Sequence, residues 1–373
     1  MNGGDSQVLQ SVPTRLPEGP VNGQWPTVSI IVPMYNEERY VQQFVQCMIS
    51  QDYPPDRLEV LLVDGGSSDG TLEIARQVAQ QHGHFRLLHN PGRTQPCGVN
   101  TGVMEARGQY VSRADVHVGY PPDYIRACIT AMQSYDVGCV GGVINTQPGD
   151  DSHVARAIAI VQSHPFGVGN SYDRISTKAR IVDAVAFPTC RRELFERIGL
   201  YHELLPRHED VEFYSRIRRA GGKLMVLPSI RTTYYSRPTI GGLLKQAWQN
   251  GYETALAWLV NHDCANARHW IPGLFVASLI VLGAAAPSWA FARWLLVLNA
   301  GAYLAALLIS ALHVGLTRGW RFVPVTAATF VLHHLAYGLA TIAGTIELVR
   351  SYRKVKRYCV PVLDDKTSPK AWS

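Results

Sequence analysis

From Trp25 onward the chain alternates short β-branched runs with stretches of helical periodicity. Val28-Ser-Ile-Ile-Val32 reads as a buried strand closed by Pro33. Glu37 to Gln51 then predicts a helix, and Leu58 to Val63 a second strand. Ser68 to Gln81 predicts a helix capped by Ser68 or Asp69. Phe85 to His89 reads as a third strand, Thr101 to Ala106 as the start of another helix, and Gln109 to Ser112 as a fourth strand. This rhythm implies an α/β fold with a mostly parallel sheet and helices on both faces. Ligands on such sheets bind beyond the carboxyl ends of the strands. The polar clusters Tyr35–Glu37, Asp64–Asp69 and Asp115–His117 fall there.

After Ile144 the sheet rhythm weakens. Helices are expected at His153 to Gln162, Glu193 to Ile198 and Glu209 to Arg219, and a strand at Lys223 to Leu227. Ile240 to Val260 is amphipathic, with Trp248, Tyr252 and Trp258 among its apolar positions. Both an interfacial helix and an ordinary domain-covering helix fit that pattern. Three apolar segments follow, at 272–289, 294–314 and 322–349. The last two are long enough to span a bilayer, which takes about 20 apolar residues. The first is shorter, and leaves a span, a re-entrant segment and an interfacial helix open. If it does not cross, the basic tail Arg350 to Arg357 returns to the cytosol, in keeping with the positive-inside rule. The expected organisation is a disordered leader (1–24), an α/β domain (25–238), an interfacial region (239–270), a transmembrane region (271–349) and a basic tail (350–373).

Composition sharpens this picture at three points. The 47% of hydrophobic residues and 17% of charged ones are unevenly mixed, since nearly all long apolar runs lie after Ile271. The net charge of +6 is modest, but basic residues cluster at Arg191-Arg192, Arg216 to Arg219 and Arg350 to Arg357, which suits phosphates or anionic lipid, and no helix carries the basic, aromatic-interleaved stripe of a nucleic-acid binder. Seven scattered cysteines, without a C-x-x-C pair, argue against a disulfide framework or a structural zinc site and fit a reducing compartment. Residues 1–24 lack the apolar core of a signal peptide, so the α/β domain is expected in the cytosol.

Four clusters carry candidate chemistry. The first, Val28 to Glu37, ends a strand at a Pro-Met-Tyr turn, where Tyr35 can stack on a base beside Glu37. The second, Leu61 to Thr71, delivers Asp64 to a loop in which Gly65-Gly66 let a planar ligand approach; a plain turn and helix cap explain it equally. In the third, Arg113 to His117, Asp115 and His117 alternate in extended chain and could hold a cation against a diphosphate. A strand-end Asp and a loop-bonded His is the plainer reading. The fourth, Pro206 to Arg216, puts Glu209 and Asp210 at a helix N-terminus, favourable to its dipole or, facing a donor, a general base.

Together, in this order, the clusters resemble the inverting family 2 glycosyltransferases of GT-A fold, and within them the succinoglycan-type, ExoA-like membrane-associated branch. The resemblance covers about Val28 to Tyr252 and extends through His334 to Gly344. It implies that Pro33, Tyr35, Glu37 and Asp64 hold the nucleotide, and that Asp69, Arg93 and Asn100 line the donor pocket. Asp115 and His117 stand at the family's Asp-x-Asp metal motif, with His in place of the second Asp, which leaves the choice of Mn2+ or Mg2+ open. Asp210 of the Glu209-Asp210 pair matches the catalytic base. Gln246, Trp248 and Tyr252 occupy the place of the absent Gln-x-x-Arg-Trp signature and read as acceptor-side residues. The implied reaction moves a hexose from a UDP-sugar to a polyprenyl-diphosphate-linked saccharide at the membrane. A processive polysaccharide synthase and a non-catalytic membrane scaffold are the rivals. A dinucleotide oxidoreductase lacks its Gly-x-Gly-x-x-Gly after the first strand.

Overall fold

The computed structural model describes residues 19–20 and 23–355, with side chains to 350. The expected leader and basic tail lie almost wholly outside the described residues. The strands are β1 (Val28–Met34), β2 (Leu58–Asp64), β3 (Phe85–His89), β4 (Tyr110–Arg113), β5 (Val118–Gly119), β6 (Cys139–Gln147), β7 (Arg180–Val182), β8 (Ala186–Arg191) and β9 (Leu224–Tyr235). Nine helices accompany them as far as α9: α1 (Glu38–Ile49), α2 (Thr71–Gln81), α3 (Gln95–Glu105), α4 (Tyr124–Ser134), α5 (His153–Val161), α6 (Pro165–Val168), α7 (Tyr172–Ile175), α8 (Glu193–Ile198) and α9 (Glu209–Arg219). Four long helices close the described chain: α10 (Ile240–Val260), α11 (Ala267–Ala285), α12 (Ala290–Arg318) and α13 (Val323–Val355).

The strands form one mixed sheet in the order β3-β2-β1-β4-β8-β6-β9-β5, with β7 paired to β9. β3, β2, β1 and β4 run parallel. β8 runs antiparallel to both β4 and β6, and β5 and β7 run antiparallel to β9. β6 thus returns to the direction of the first four strands, and β9 lies beside it in the same sense, with the Gly138 N–H on the Lys223 carbonyl and the Ser236 N–H on the Gln147 carbonyl, so the sheet is mixed and mostly parallel. Parallel strands need a crossover of a dozen or more residues. The helices α1, α2 and α3 provide it early in the chain.

The pleat sends alternate side chains to opposite faces. Val28, Ile30 and Val32 of β1 join Val60 and Leu62 of β2 in a core with Phe44 and Met48 of α1 and Ile125 and Ile129 of α4. On the other face Ile31, Leu61 and Val63 meet Val99 of α3 and Phe213 and Ile217 of α9. Burial on both faces is why these strands read as unbroken apolar runs.

Three expectations need correction. β1 runs through Pro33 to Met34, because the missing N–H of proline costs little near a strand end. α3 begins at Gln95, six residues before the expected start, with the Thr94 hydroxyl accepting from the Cys97 N–H at 3.4 Å. Cys139 and Cys190 form a disulfide, with Cα atoms 4.6 Å apart. Their separation of 51 residues concealed a pair that antiparallel β6 and β8 place directly opposite.

The chain divides into two compact units. One comprises the described residues to Asn145 and Tyr172–Tyr234; the other comprises Thr146–Ser171 and the described residues from Tyr235. Residues 146–171 therefore belong with the long helices, a return that boundaries drawn in chain order do not express. Within the second unit α10 buries Ala247, Gly251 and Thr254, and its Thr254 hydroxyl lies 3.0 Å from the Tyr337 hydroxyl of α13. α11 has 19 residues because it begins at Ala267, and it joins α12 and the stretch Trp320–Arg350 as three helices long and apolar enough to cross a membrane. The first apolar segment thus reaches spanning length, which its apolar residues alone did not indicate.

Candidate active site

The carboxyl ends of β1, β2 and β4 are adjacent in the sheet, and their loops form the site. The first two loops are laced together. Asn36, in left-handed backbone at φ 55°, accepts the Ser68 N–H through Oδ1 at 2.8 Å, while its own N–H donates to the Ser67 hydroxyl at 2.9 Å. The Glu37 N–H donates to Thr71 Oγ1 at 2.7 Å, and the Glu38 N–H to Asp69 Oδ2 at 3.2 Å. Asp69 also accepts the Thr71 N–H at 3.0 Å, so it joins two helix starts, while Gly70 takes the cap position of α2. The lacing leaves the Tyr35 ring 53% exposed at the end of β1, open to a planar ligand.

Asp64 is buried, and its carboxylate accepts the N–H groups of Gly66 at 2.9 Å and Ser67 at 3.1 Å. It shapes the glycine turn. Arg93, also at positive φ (58°), lies over that turn: a Cβ placed on Gly66 would sit 3.5 Å from its Nε. Pro33 pairs with Val63 across the strands and contacts Gly98 of α3, one layer beneath the loops. Asn100 does not line an open surface. It is buried, its amide donates to the Tyr201 carbonyl and to Glu203 Oε1 at 2.9 Å each, and its oxygen accepts the Tyr201 N–H at 2.9 Å.

The third loop corrects the picture of alternating side chains. β4 ends at Arg113, and Asp115 and His117 lie on a turn in which the Val118 N–H donates to the Asp115 carbonyl at 3.3 Å. Asp115 accepts from Gln95 Nε2 at 3.1 Å, and its backbone N–H donates to the Tyr120 hydroxyl at 2.9 Å. His117 Nδ1 stands 3.7 Å from Glu37 Oε1, between the rings of Tyr40 and Tyr234 at 6.4 and 5.9 Å.

Behind this loop lies α9, entered through His208 at φ 62°. Three of the four non-glycine residues at positive φ among the described residues (Asn36, Arg93, His208) thus border the site. Backbone strain of this kind collects at functional sites. Asp210, half-buried in the first turn, accepts the Val211 N–H at 2.8 Å. Glu209 is buried and ion-paired with Arg113 Nη1 at 3.0 Å. Burial pushes the Glu209 carboxyl up to about 7 against the pull of Arg113, with Asp210 and Asp115 adding to the rise. Burial works to lower Arg113, but Glu209 and then Asp115 hold it well above its usual value. Sequence reasoning gave Arg113, Asn36 and Gln95 no role. Asn36 carried a usable signal, since asparagine before a helix tolerates left-handed backbone; Gln95 carried none.

No three His, Cys, Asp or Glu side chains form a metal cage among the described residues. The carboxylate suits a hard divalent cation that takes its other ligands from phosphate oxygens, while the imidazole favours a softer ion than magnesium, so the donor pair admits a divalent cation without selecting magnesium. The residues present therefore fit such an ion at Asp115 and His117. A cavity of about 510 Å³ opens at the other end of the strands, lined by Pro26, Gln109, Tyr110 and Arg191, and none of these loops contributes to it.

The sequence profile described as "Glycosyl transferase family 2" matches residues 29–199. These residues are a family 2 glycosyltransferase domain. The chain is 28% identical over 310 residues to the succinoglycan biosynthesis protein ExoA of Rhizobium meliloti, covering 83% of this chain and 92% of that one. It is 25% identical over 232 residues to a dolichyl N-acetyl-alpha-D-glucosaminyl phosphate 3-beta-D-2,3-diacetamido-2,3-dideoxy-beta-D-glucuronosyltransferase of Methanococcus voltae, covering 60% and 71%. The mannosyltransferase PcManGT of Pyrobaculum calidifontis, solved with GDP-Man and Mn2+, superposes with a TM-score of 0.56 at 21% identity, covering 88% of this chain and 90% of that one. The fold is GT-A, and the chain is a glycosyltransferase whose long terminal helices can span a membrane.

The residues expected on the acceptor side lie on α10. Gln246 Oε1 accepts from Gln162 Nε2 at 3.0 Å, and Trp248 and Tyr252 are 45% and 38% exposed.

Proposed function

We propose that this glycosyltransferase is anchored in the cytoplasmic membrane by α11, α12 and α13. It transfers a hexose, with inversion, from a nucleoside-diphosphate sugar to a polyprenyl-diphosphate-linked saccharide during exopolysaccharide or other surface-glycan synthesis. The catalytic domain faces the cytosol, and the nucleotide is uridine. The observation that carries the reading is the loop arrangement at the carboxyl edge of the sheet: Tyr35 exposed on one loop, Asp115 at the end of β4, and Asp210 in the first turn of α9, joined to that end through the Glu209–Arg113 pair. The relative named for succinoglycan biosynthesis supports a role in exopolysaccharide synthesis, and the one named for a dolichyl phosphate sugar supports a lipid-linked acceptor.

Tyr35 stacks on the base, and Asp64, Asp69 and Arg93 keep the loops that receive ribose and phosphate. Asp210 accepts the proton of the acceptor hydroxyl as its oxygen bonds to the anomeric carbon. The bond from that carbon to the diphosphate oxygen breaks on the opposite face, so one base suffices and configuration inverts. A divalent cation held by Asp115 and His117 would offset the charge left on the diphosphate. The reading of Gln246, Trp248 and Tyr252 of α10 as acceptor-side residues rests on the family resemblance.

A panel of UDP- and GDP-hexoses, assayed with detergent-purified full-length protein and a polyprenyl-diphosphate-linked hexose, tests this. One UDP-sugar is expected to be consumed, with Asp210→Asn lowering turnover about 10²–10⁴-fold and leaving donor binding intact. Turnover of Asp210→Asn at the wild-type rate removes the base. A GDP-sugar as the sole donor removes uridine.

A further inference from the structure

Arg113 is the last residue of β4, and three elements hold it. Its backbone stands opposite Ile31 of β1 in the sheet register. Its guanidinium carbon lies 5.9 Å from the centre of the Tyr201 ring, which stacks on Phe213 at 4.4 Å and 16°. Its Nη1 meets Glu209 Oε1 at 3.0 Å. Tyr201 is fixed in turn by the Asn100 amide, through both its N–H and its carbonyl. The side chain is only 11% exposed, and Nε, which has no hydrogen-bond partner, points at Asp115 Oδ1 from 3.8 Å. A planar fork of donors is thus clamped on one prong, with another aimed at the carboxylate two residues ahead.

We propose that Arg113 is a positioning residue for sugar transfer: it sets the distance between Asp115, on the leaving-group side, and the first turn of α9, which presents Asp210 to the acceptor. The proposal rests on the roles given above to those two acids. The guanidinium is the ion-pair link between the end of β4 and Glu209, while Val111 of β4 and Phe213 of α9 share the core further from the site. Without the guanidinium, the two halves of the reaction site would drift by fractions of an ångström while the sheet and both cores stay intact. A misplacement of about 1 Å costs on the order of a hundredfold in rate. A lysine keeps the charge but loses the fork, so it restores part of the effect.

The test uses full-length protein in detergent. UDP is the binding probe, the UDP-hexose used by wild type is the donor, and a polyprenyl-diphosphate-linked hexose is the acceptor. Arg113→Met is expected to lower kcat about a hundredfold with UDP affinity within about threefold, and Arg113→Lys to recover about a tenth of the loss or more. Glu209→Gln should lower kcat too, and the double variant Arg113→Met/Glu209→Gln should be no slower than Arg113→Met alone, because the two residues act as one unit. Amide exchange at residues 208–212 should quicken in each variant while β1 and β2 stay protected. Wild-type kcat in Arg113→Lys and Glu209→Gln, or losses that multiply in the double variant, overturns the proposal. So does unchanged exchange at 208–212, a readout that holds even where Arg113→Met fails to accumulate. Asp210→Asn separates the two readings. Full activity there, with exchange at 208–212 still dependent on Arg113, removes the base and keeps the coupling.

Discussion

Met104 on α3 and Leu308 on α12 are equally exposed, at 68% each, yet they stand in opposite surroundings. Met104 is an isolated apolar side chain on a unit whose other large apolar residues are mostly buried in two cores. Leu308 is one of a continuous set with Leu304, Ile309, Leu312 and Leu316, all more than half exposed. Scattered apolar side chains on a surface are ordinary, whereas a contiguous patch of this size calls for a partner. Exposure alone does not distinguish water from lipid; the neighbours do. The largest effect we expect follows directly. Leu304→Lys with Leu308→Lys puts two charges on one face of α12, at about 5–7 kcal/mol for insertion. Met104→Lys, at the same exposure, changes stability by no more than about 0.5 kcal/mol. Carbonate extraction of membranes should release the double variant and leave Met104→Lys integrated. Retention of the double variant would show that α12 does not face lipid.

Buried polar groups also differ between the units. In the sheet unit Asn100 makes three hydrogen bonds that hold the segment leading to α9. Among the long helices, polar contacts join one helix to the next, as with Asn299 Nδ2 donating to Ser278 Oγ at 2.7 Å and Tyr303 Oη 3.1 Å from His334 Nδ1. Asn100→Ala strands the backbone groups of Tyr201 in an apolar setting and should cost about 2–4 kcal/mol. Asn299→Ala should cost about 1 kcal/mol if α12 spans a membrane as proposed, because a helix in lipid finds other partners. Denaturant midpoints of the two variants, followed by tryptophan fluorescence, would sharpen the contrast; equal losses would erase it.

Glycine separates the units again. A Cβ on Gly344 of α13 would lie 2.1 Å from the Tyr252 carbonyl oxygen, and one on Gly251 of α10 2.3 Å from the Tyr337 carbonyl oxygen. Those helices touch backbone to backbone, and Gly344→Ala should cost about 1–3 kcal/mol. At Gly70 the nearest atom is Oε1 of the flexible Glu38 side chain at 2.5 Å, and φ is −69°. Gly70→Ala should therefore fall within about 0.5 kcal/mol of wild type. Thermal midpoints in one detergent would compare them, and a Gly344→Ala protein as stable as wild type would contradict the close packing.

The run of strands from β1 to β4 was legible because burial on both faces writes long apolar runs, and because Leu58 to Val63 has no competing period. α10 was legible to the residue, since Thr239 caps it and Val260 ends its periodic pattern. What escaped depends on non-local geometry. Residues 146–171 join the second unit through contacts such as His334 Nε2 with the Phe166 carbonyl at 2.9 Å, 168 positions apart. The Cys139–Cys190 pair depends on strand order. At the site the acids could be read from their motifs. Their duties could not: Asp64 closes its own turn, and the buried partner of Glu209 is an arginine ninety-six positions away.

That arginine sets up the finest contrast, a charge held inside the sheet unit. Burial pushes Glu209 up to about 7 from an ordinary 4.5, the opposite of what an ion pair in water does. Between these values the folded chain keeps a proton that the unfolded chain has released. Stability therefore falls as pH rises through that window, and the loss is complete above about 7. The rise already includes the pull of Arg113, so the fall across this window is the part of the cost of the charged form that the ion pair leaves uncompensated. Glu209→Gln titrates nowhere in the range, and its stability should be flatter between pH 4.5 and 7 than that of wild type. Urea midpoints of both proteins at half-unit steps would decide the matter. Parallel curves would mean that Glu209 is ionised throughout the window, with the Arg113 pair strong enough to overcome its burial.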